Sequence, residues 1–182
     1  VLKNWAVVPT CLPIVHRRCH ACASHRLRAS GKFRVNANQK LLDVWLLALC
    51  TACGETVKLT VLERMTVRSI PPELLDRLHA NDTGLTADLL QDPDVQRRNR
   101  FVLDWTDAWR LDTDGSEHLD LDVIDVAVRN AARIPVRPAR LIAEGCGLSR
   151  AEVDRLITEG KVVSAARLAG KLSGDFAFTL KR

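Results

Sequence analysis

Tyrosine is absent from the 182 residues, methionine occurs once, and aromatic residues make up only 4%. So small a supply of rings argues against base stacking as the main mode of any single-strand binding. Long apolar runs are missing too. The longest candidate, "VWLLALC" at 44–50, is strand-sized and too short to span a bilayer. The opening "VLKNWAVVPTCLP" lacks the basic, apolar and small-residue order of a signal peptide. It also lacks an initiator Met, so the expectation is that a few residues precede it. The expected setting is the cytoplasm, with no membrane partner, where thiols stay reduced. Catalytic signatures are missing as well: there is no G-x-S-x-G, Walker loop, H-E-x-x-H or deaminase H-x-E…P-C-x-x-C. The expectation is a protein that is not an enzyme and has no small-molecule substrate.

What is present is a hydrophobic fraction of 47%, enough for one large domain or two to three small ones. Six cysteines stand out. "CHAC" places Cys19 and Cys22 two residues apart, and "CTAC" repeats the spacing at Cys50 and Cys53. One such pair could serve a disulfide, a redox couple or a metal. Two pairs 27 residues apart, in a reducing setting, point to a four-thiolate structural metal site. Zinc is the favoured ion, and a rubredoxin-like iron centre fits the same ligands. Cys11, His16, His20 and His25 lie near the first pair and could replace a thiolate, although the four paired cysteines suffice. Cys146, within "GCG", reads as a small buried residue.

Charge divides the chain in three. Residues 1–70 carry 11 Lys/Arg against 3 Asp/Glu, residues 71–136 carry 7 against 14, and residues 137–182 carry 9 against 5. Basic ends around an acidic middle could bind polyanions, or could pair with that middle.

Residues 1–70 read as β. "KFRVNA" alternates, with Phe33 and Val35 on one face and Lys32, Arg34 and Asn36 on the other. "DVWLLALC" is a buried strand entering the second knuckle, and "ETVKLTVLER" alternates again. Knuckle, strands, knuckle, strand is the order of a zinc ribbon, whose small core leans on its metal. Residues 71–135 read as helical. "SIPPELLDRLHAN" offers Leu74, Leu75 and Leu78 behind a proline start. "DPDVQRRNRFVLDWTDAWRL" offers Asp92 as N-cap, with Val95, Val102, Trp105 and Trp109 along one helical face. Arg97, Arg98 and Arg100 would lie on its solvated side. "HLDLDVIDVAVRNAARI" alternates at its start and takes helical spacing later.

Residues 136–182 read as α+β. Pro138 opens one helix, with Gly145 as its stop. Ser149 and Glu152 form a capping box for a second helix that buries Val153, Leu156 and Ile157 and ends at Gly160. Two short strands, "KVV" and "DFAFTL", follow. The fold class expected is α+β, with a zinc ribbon at 1–70, a helical segment at 71–135 and a compact unit at 136–182.

"RPARLIAEGCGLSRAEVDRLITEGKVV" and "KLSGDFAF" resemble the small αL-type RNA-binding domain of a small-subunit ribosomal protein, pseudouridine synthases and some tyrosyl-tRNA synthetases. By that resemblance, Arg140, Ser149, Arg150, Arg155 and Lys161 would touch RNA phosphates. Glu152, Asp154 and Glu159 on the same stretch would oppose phosphate unless paired. The chain as a whole resembles the bacterial domain-of-unknown-function family 1062, on its paired C-x-x-C, "KFRVNAN", "DVWLLALC" and the RPARLI…GLSR run. That resemblance implies a layout and no activity. The function expected is a zinc-containing, non-enzymatic nucleic-acid-binding protein with RNA or the ribosome as partner. The alternative is a zinc-stabilised protein-interaction or regulatory factor.

Overall fold

The computed structural model describes residues 2–115 and 122–181. It is α+β, with five helices, two sheets and about 26% helix against 40% strand. The chain forms two compact units. One is continuous, residues 12–106, and the other is split between residues 1–11 and 107–182. Neither boundary falls at 70 or 135, where composition changes.

The continuous unit holds β2 (Ile14–His16), β3 (Arg26–Asn38), β4 (Leu41–Cys50) and β5 (Thr56–Thr66). A 3-10 turn at Val67–Ser69 leads to α1 (Pro72–His79), α2 (Thr83–Gln91) and α3 (Pro93–Asn99), and β6 (Val102–Asp104) closes it. Its sheet runs β5-β4-β3-β2-β6, antiparallel throughout. Alternation decides the faces. Leu27, Ala29, Val44, Leu46, Ala48, Val57 and Leu59 point inward and pack with Leu78, Leu85, Leu90 and Val95 of the helices. The expected ribbon is therefore one layer of a larger unit with a helix-covered core, and it does not stand alone.

Helix starts follow the sequence. Asp92 caps α3 by accepting from the Asp94 and Val95 amides, and Asp82 caps α2 by accepting from Leu85. The expected long helix through Trp109 does not form. α3 stops at Asn99 because Arg100 adopts a left-handed conformation (φ 53°). The chain then turns into β6, so Trp105 and Trp109 share no helical face; Trp105 is buried beyond β6 and Trp109 starts a strand. The Asn99 side chain does structural work at the sheet edge. Its Oδ1 accepts from the Thr60 amide at 2.7 Å, and its Nδ2 donates to the Thr60 and Val95 carbonyls at 2.8 Å each.

The split unit holds β1 (Leu2–Pro9), β7 (Trp109–Thr113), β8 (Val123–Arg129), α4 (Pro138–Cys146), α5 (Arg150–Thr158), β9 (Val162–Val163) and β10 (Phe176–Lys181). Its sheet runs β7-β1-β8-β10-β9. β1 pairs parallel with β8, so the whole of the other unit intervenes in sequence between two neighbouring strands. The ambiguous segment resolves as strand: Ile124, Val126 and Val128 are buried at alternate positions, while its start at 118–121 lies outside the described residues. β10 lies between β8 and β9. The residues from 136 onward are thus part of a shared sheet, not a free-standing module.

The capping box forms as expected. Ser149 Oγ accepts from the Glu152 amide at 3.2 Å, and Glu152 Oε2 accepts from the Ser149 amide at 2.8 Å. Gly145 does not stop α4; Gly147 does, at φ 65°. Gly145 has a different task. A Cβ there would sit 2.3 Å from the Trp5 ring, so only glycine lets that indole lie on the helix. Trp5 is 3% exposed and meets Phe178 edge-on at 5.4 Å.

Candidate metal centre

The four knuckle thiols converge. Cys19, Cys22, Cys50 and Cys53 place their sulfurs within 4.8 Å of one another, an arrangement that could hold a metal ion. Cys19 and Cys50 are 1% and 3% exposed, while Cys22 and Cys53 face solvent. All four are free thiols.

Each knuckle is built by its own turn. In the first, the Cys19 amide donates to the Ser24 carbonyl at 2.7 Å, and the Ala23 amide returns to the Cys19 carbonyl at 3.1 Å. Ala23 takes φ 59° to close it. In the second, the Gly54 amide donates to the Cys50 carbonyl at 2.9 Å, with Gly54 at φ 75°. Pairing of Leu27 with Cys50 on β3 and β4 brings the two turns together at one end of the sheet.

The distances fit a metal. Bonds of about 2.3 Å to a tetrahedral ion place neighbouring sulfurs about 3.8 Å apart. Cys19 and Cys53 sulfurs are 3.8 Å apart, and those of Cys22 and Cys50 are 3.5 Å apart. The Ala21 amide points at Cys19 Sγ at 3.4 Å. Electrostatics agree with that fit. The Cys53 and Ala52 amides donate to the Cys50 sulfur and bring its pKa down to about 6. Cys53 is pushed up to about 12: the Glu55 amide would lower it, but the Cys22 thiol, burial and the Cys50 and Cys19 thiols outweigh that effect. A pair in which Cys50 favours the thiolate and Cys53 resists it needs a cation to hold both as thiolates.

The nearby histidines take other places. His20 Nε2 lies 3.6 Å from Glu55 Oε1, and His16 stacks on His25 with centroids 6.0 Å apart. Cys11 is exposed and Cys146 buried, and neither belongs to the cluster.

A family model described as "Protein of unknown function (DUF1062)" matches residues 35–168, more than half of the chain. The chain belongs to that family. No curated protein and no solved structure gives a match. The DUF1062 match contains the second knuckle and begins after the first, so the centre is completed by Cys19 and Cys22 from upstream of it.

The same match contains Arg140, Ser149, Arg150, Arg155 and Lys161. Arg140, Arg150, Arg155 and Lys161 are exposed. Arg150 Nε is 3.9 Å from Asp154 Oδ2, Arg155 Nε is 3.8 Å from Glu159 Oε1, and Lys161 Nζ is 3.2 Å from Glu159 Oε2. Ser149 is occupied as the helix cap. Arg150, Arg155 and Lys161 are matched by acids close in sequence, and Arg140 makes no ion pair among the described residues. Another basic set escaped the sequence reading: Arg28, Arg34 and Lys58 share the outer face of the first sheet. Alternation in "KFRVNA" marked Arg34 as outward, but nothing in the sequence marked which face the helices would leave open.

Proposed function

We propose that this protein is a non-enzymatic, zinc-stabilised binding protein whose ligand is nucleic acid, with RNA as the expected form. The observation that carries the zinc reading is the convergence of four thiols at tetrahedral spacing. Four thiolates fill the coordination shell of zinc and leave no position for a water or substrate, so the metal is structural. Zinc is favoured over iron because it needs no redox partner and takes this geometry without electronic preference. The nucleic-acid reading is supported by the net charge of +5, which attracts phosphate at long range.

The internal pairing of Arg150, Arg155 and Lys161 favours a second reading, a protein-interaction or regulatory factor without nucleic acid. One preparation separates the two. Metal analysis of the purified protein should give one zinc per chain, without the visible absorption of an iron–thiolate centre. At about 50 mM salt it should carry nucleic acid that a high-salt wash removes. Metal-free protein would refute the zinc reading. Protein free of nucleic acid at low salt, but bound to another polypeptide, would establish the second reading.

A further inference from the structure

We propose that single-stranded nucleic acid lies across the outer face of the first sheet, its phosphates on Arg28, Arg34 and Lys58 and one base against Trp45. The inference rests on the nucleic-acid reading above and moves its surface from α5 to this sheet.

Strand pairing places these side chains together. Arg34 on β3 is opposite Trp45 on β4, which is opposite Thr60 on β5. Arg28 is opposite Leu49, and Leu47 is opposite Lys58. Inward neighbours Ala29, Val44, Leu46, Ala48, Val57 and Leu59 are all buried beneath the helices, so this set points the other way. Arg28, Arg34 and Lys58 are exposed, and Leu49 is 43% exposed. The face is thus an open surface of cations around a half-buried indole and an exposed leucine.

Charge selects the occupant. Arg28 and Arg34 make no ion pair among the described residues. Lys58 holds its ammonium over the Trp45 ring, 5.0 Å from the centroid, with no carboxylate partner. Asp104 on this face is paired with Arg26 at 3.2 Å, and Asp43 accepts from the Arg64 amide at 2.8 Å; Glu63, near the far end of β5, is the exposed acid left. By contrast, Arg150, Arg155 and Lys161 each have an acid within 4 Å. Along β4, the positions opposite Arg28 and Arg34 are four residues apart, about 14 Å at strand rise. A flexible backbone can follow cations so spread over a flat sheet, and a duplex would meet only part of the row. With one indole available on this face, phosphate contacts dominate and base stacking is assigned to Trp45.

The test uses the zinc-replete full chain and a fluorescent twelve-nucleotide oligo-U, with oligo-dT alongside, in anisotropy titrations from about 50 mM salt upward. Three phosphate contacts on a single strand predict a log–log salt slope near −2. The triple variant Arg28→Glu, Arg34→Glu, Lys58→Glu should lose affinity about tenfold or more, and Arg150→Glu, Arg155→Glu should stay within about twofold of the parent. Zinc content and thermal midpoint are read for each variant, and Arg28→Gln, Arg34→Gln replaces the triple variant if the latter does not fold. Tighter binding of oligo-U than oligo-dT assigns RNA, and equal binding assigns single strands generally; both support the placement. If affinity falls in the α5 variant and not in the sheet variants, the placement is overturned while the nucleic-acid reading stands. If the parent protein binds neither oligomer at about 50 mM salt, both fall.

Discussion

Each unit lays helices on one face of a five-stranded sheet and leaves the other face open, yet the two open faces differ in how their acids are used. On the split unit's sheet, the acids are bonded within the protein, while Arg129 and Lys181 make no ion pair among the described residues. Asp125 accepts from the Thr179 hydroxyl at 2.6 Å, Asp112 lies 3.9 Å from Arg110, and Asp114 accepts from the Asn4 amide at 3.0 Å. On the other sheet, Arg28 and Arg34 are left without such partners. The units also differ in what fixes them. One gathers Trp5, Phe176 and Phe178 around a glycine-notched helix; the other ties two turns together through four thiols.

Metal removal should break the comparison most. Cys19→Ser or Cys50→Ser removes a buried ligand and should abolish stoichiometric zinc. It should also lower the unfolding midpoint of the 12–106 unit by roughly 10–20 °C. Strand circular dichroism should persist at low temperature, because the core beneath α1–α3 does not depend on the thiols. Complete loss of ordered structure in such a variant would restore the picture of a ribbon that only its metal holds. Trp5→Ala should come next, costing about 3–5 kcal/mol in denaturant unfolding. Gly145→Ala should cost about 1–3 kcal/mol at the same contact, because the indole has to move. Both should leave the zinc stoichiometry at one, a contrast that metal analysis of the soluble variants checks.

Smaller effects sharpen the contrast. Asn99→Ala strands the amide and carbonyl of Thr60 and should cost about 1–3 kcal/mol. Ser149→Ala should cost about 1 kcal/mol by removing the α5 cap. The smallest effect is on pH. Arg77 first, then the Leu85 amide, lowers the pKa of Asp82; the Ser149 hydroxyl and amide lower that of Glu152. Both carboxylates are lowered on folding, so their contribution is present above the unfolded values near 4 and is lost as pH falls through the folded ones. Acid unfolding of Asp82→Asn should therefore be shallower than that of the parent between about pH 5 and 2.

The four-thiol cluster was legible in sequence because a knuckle is local: C-x-x-C and a turn already aim two sulfurs together. The capping box at Ser149 and the cap at Asp92 were legible for the same reason. What escaped was non-local. Trp105 and Trp109 keep helical spacing, but Arg100 in a left-handed conformation ends the helix first, and arginine carries no signal for that. The glycine at 145 looked like punctuation because its reason, the Trp5 ring, lies 140 positions away in the chain. The split unit was invisible because charge and composition change within it, while the pairing of β1 with β8 leaves no local trace.

That pairing also bears on the order of events during synthesis. β1 leaves the ribosome more than 100 residues before its parallel partner β8, and β7 only shortly before β8. The 12–106 unit has all its strands by then, and its ends are already side by side, since Ile14 faces Asp104 across β2 and β6. A nascent chain would therefore fold its interior first and hold an unpaired β1 while it waits. Closing the middle unit brings the chain on either side of it together: the Thr10 amide reaches the Ala108 carbonyl at 2.9 Å, so β7 meets β1 as soon as it emerges. The insertion that delays the split unit's sheet thus ends where β1 and β7 are already bonded to each other.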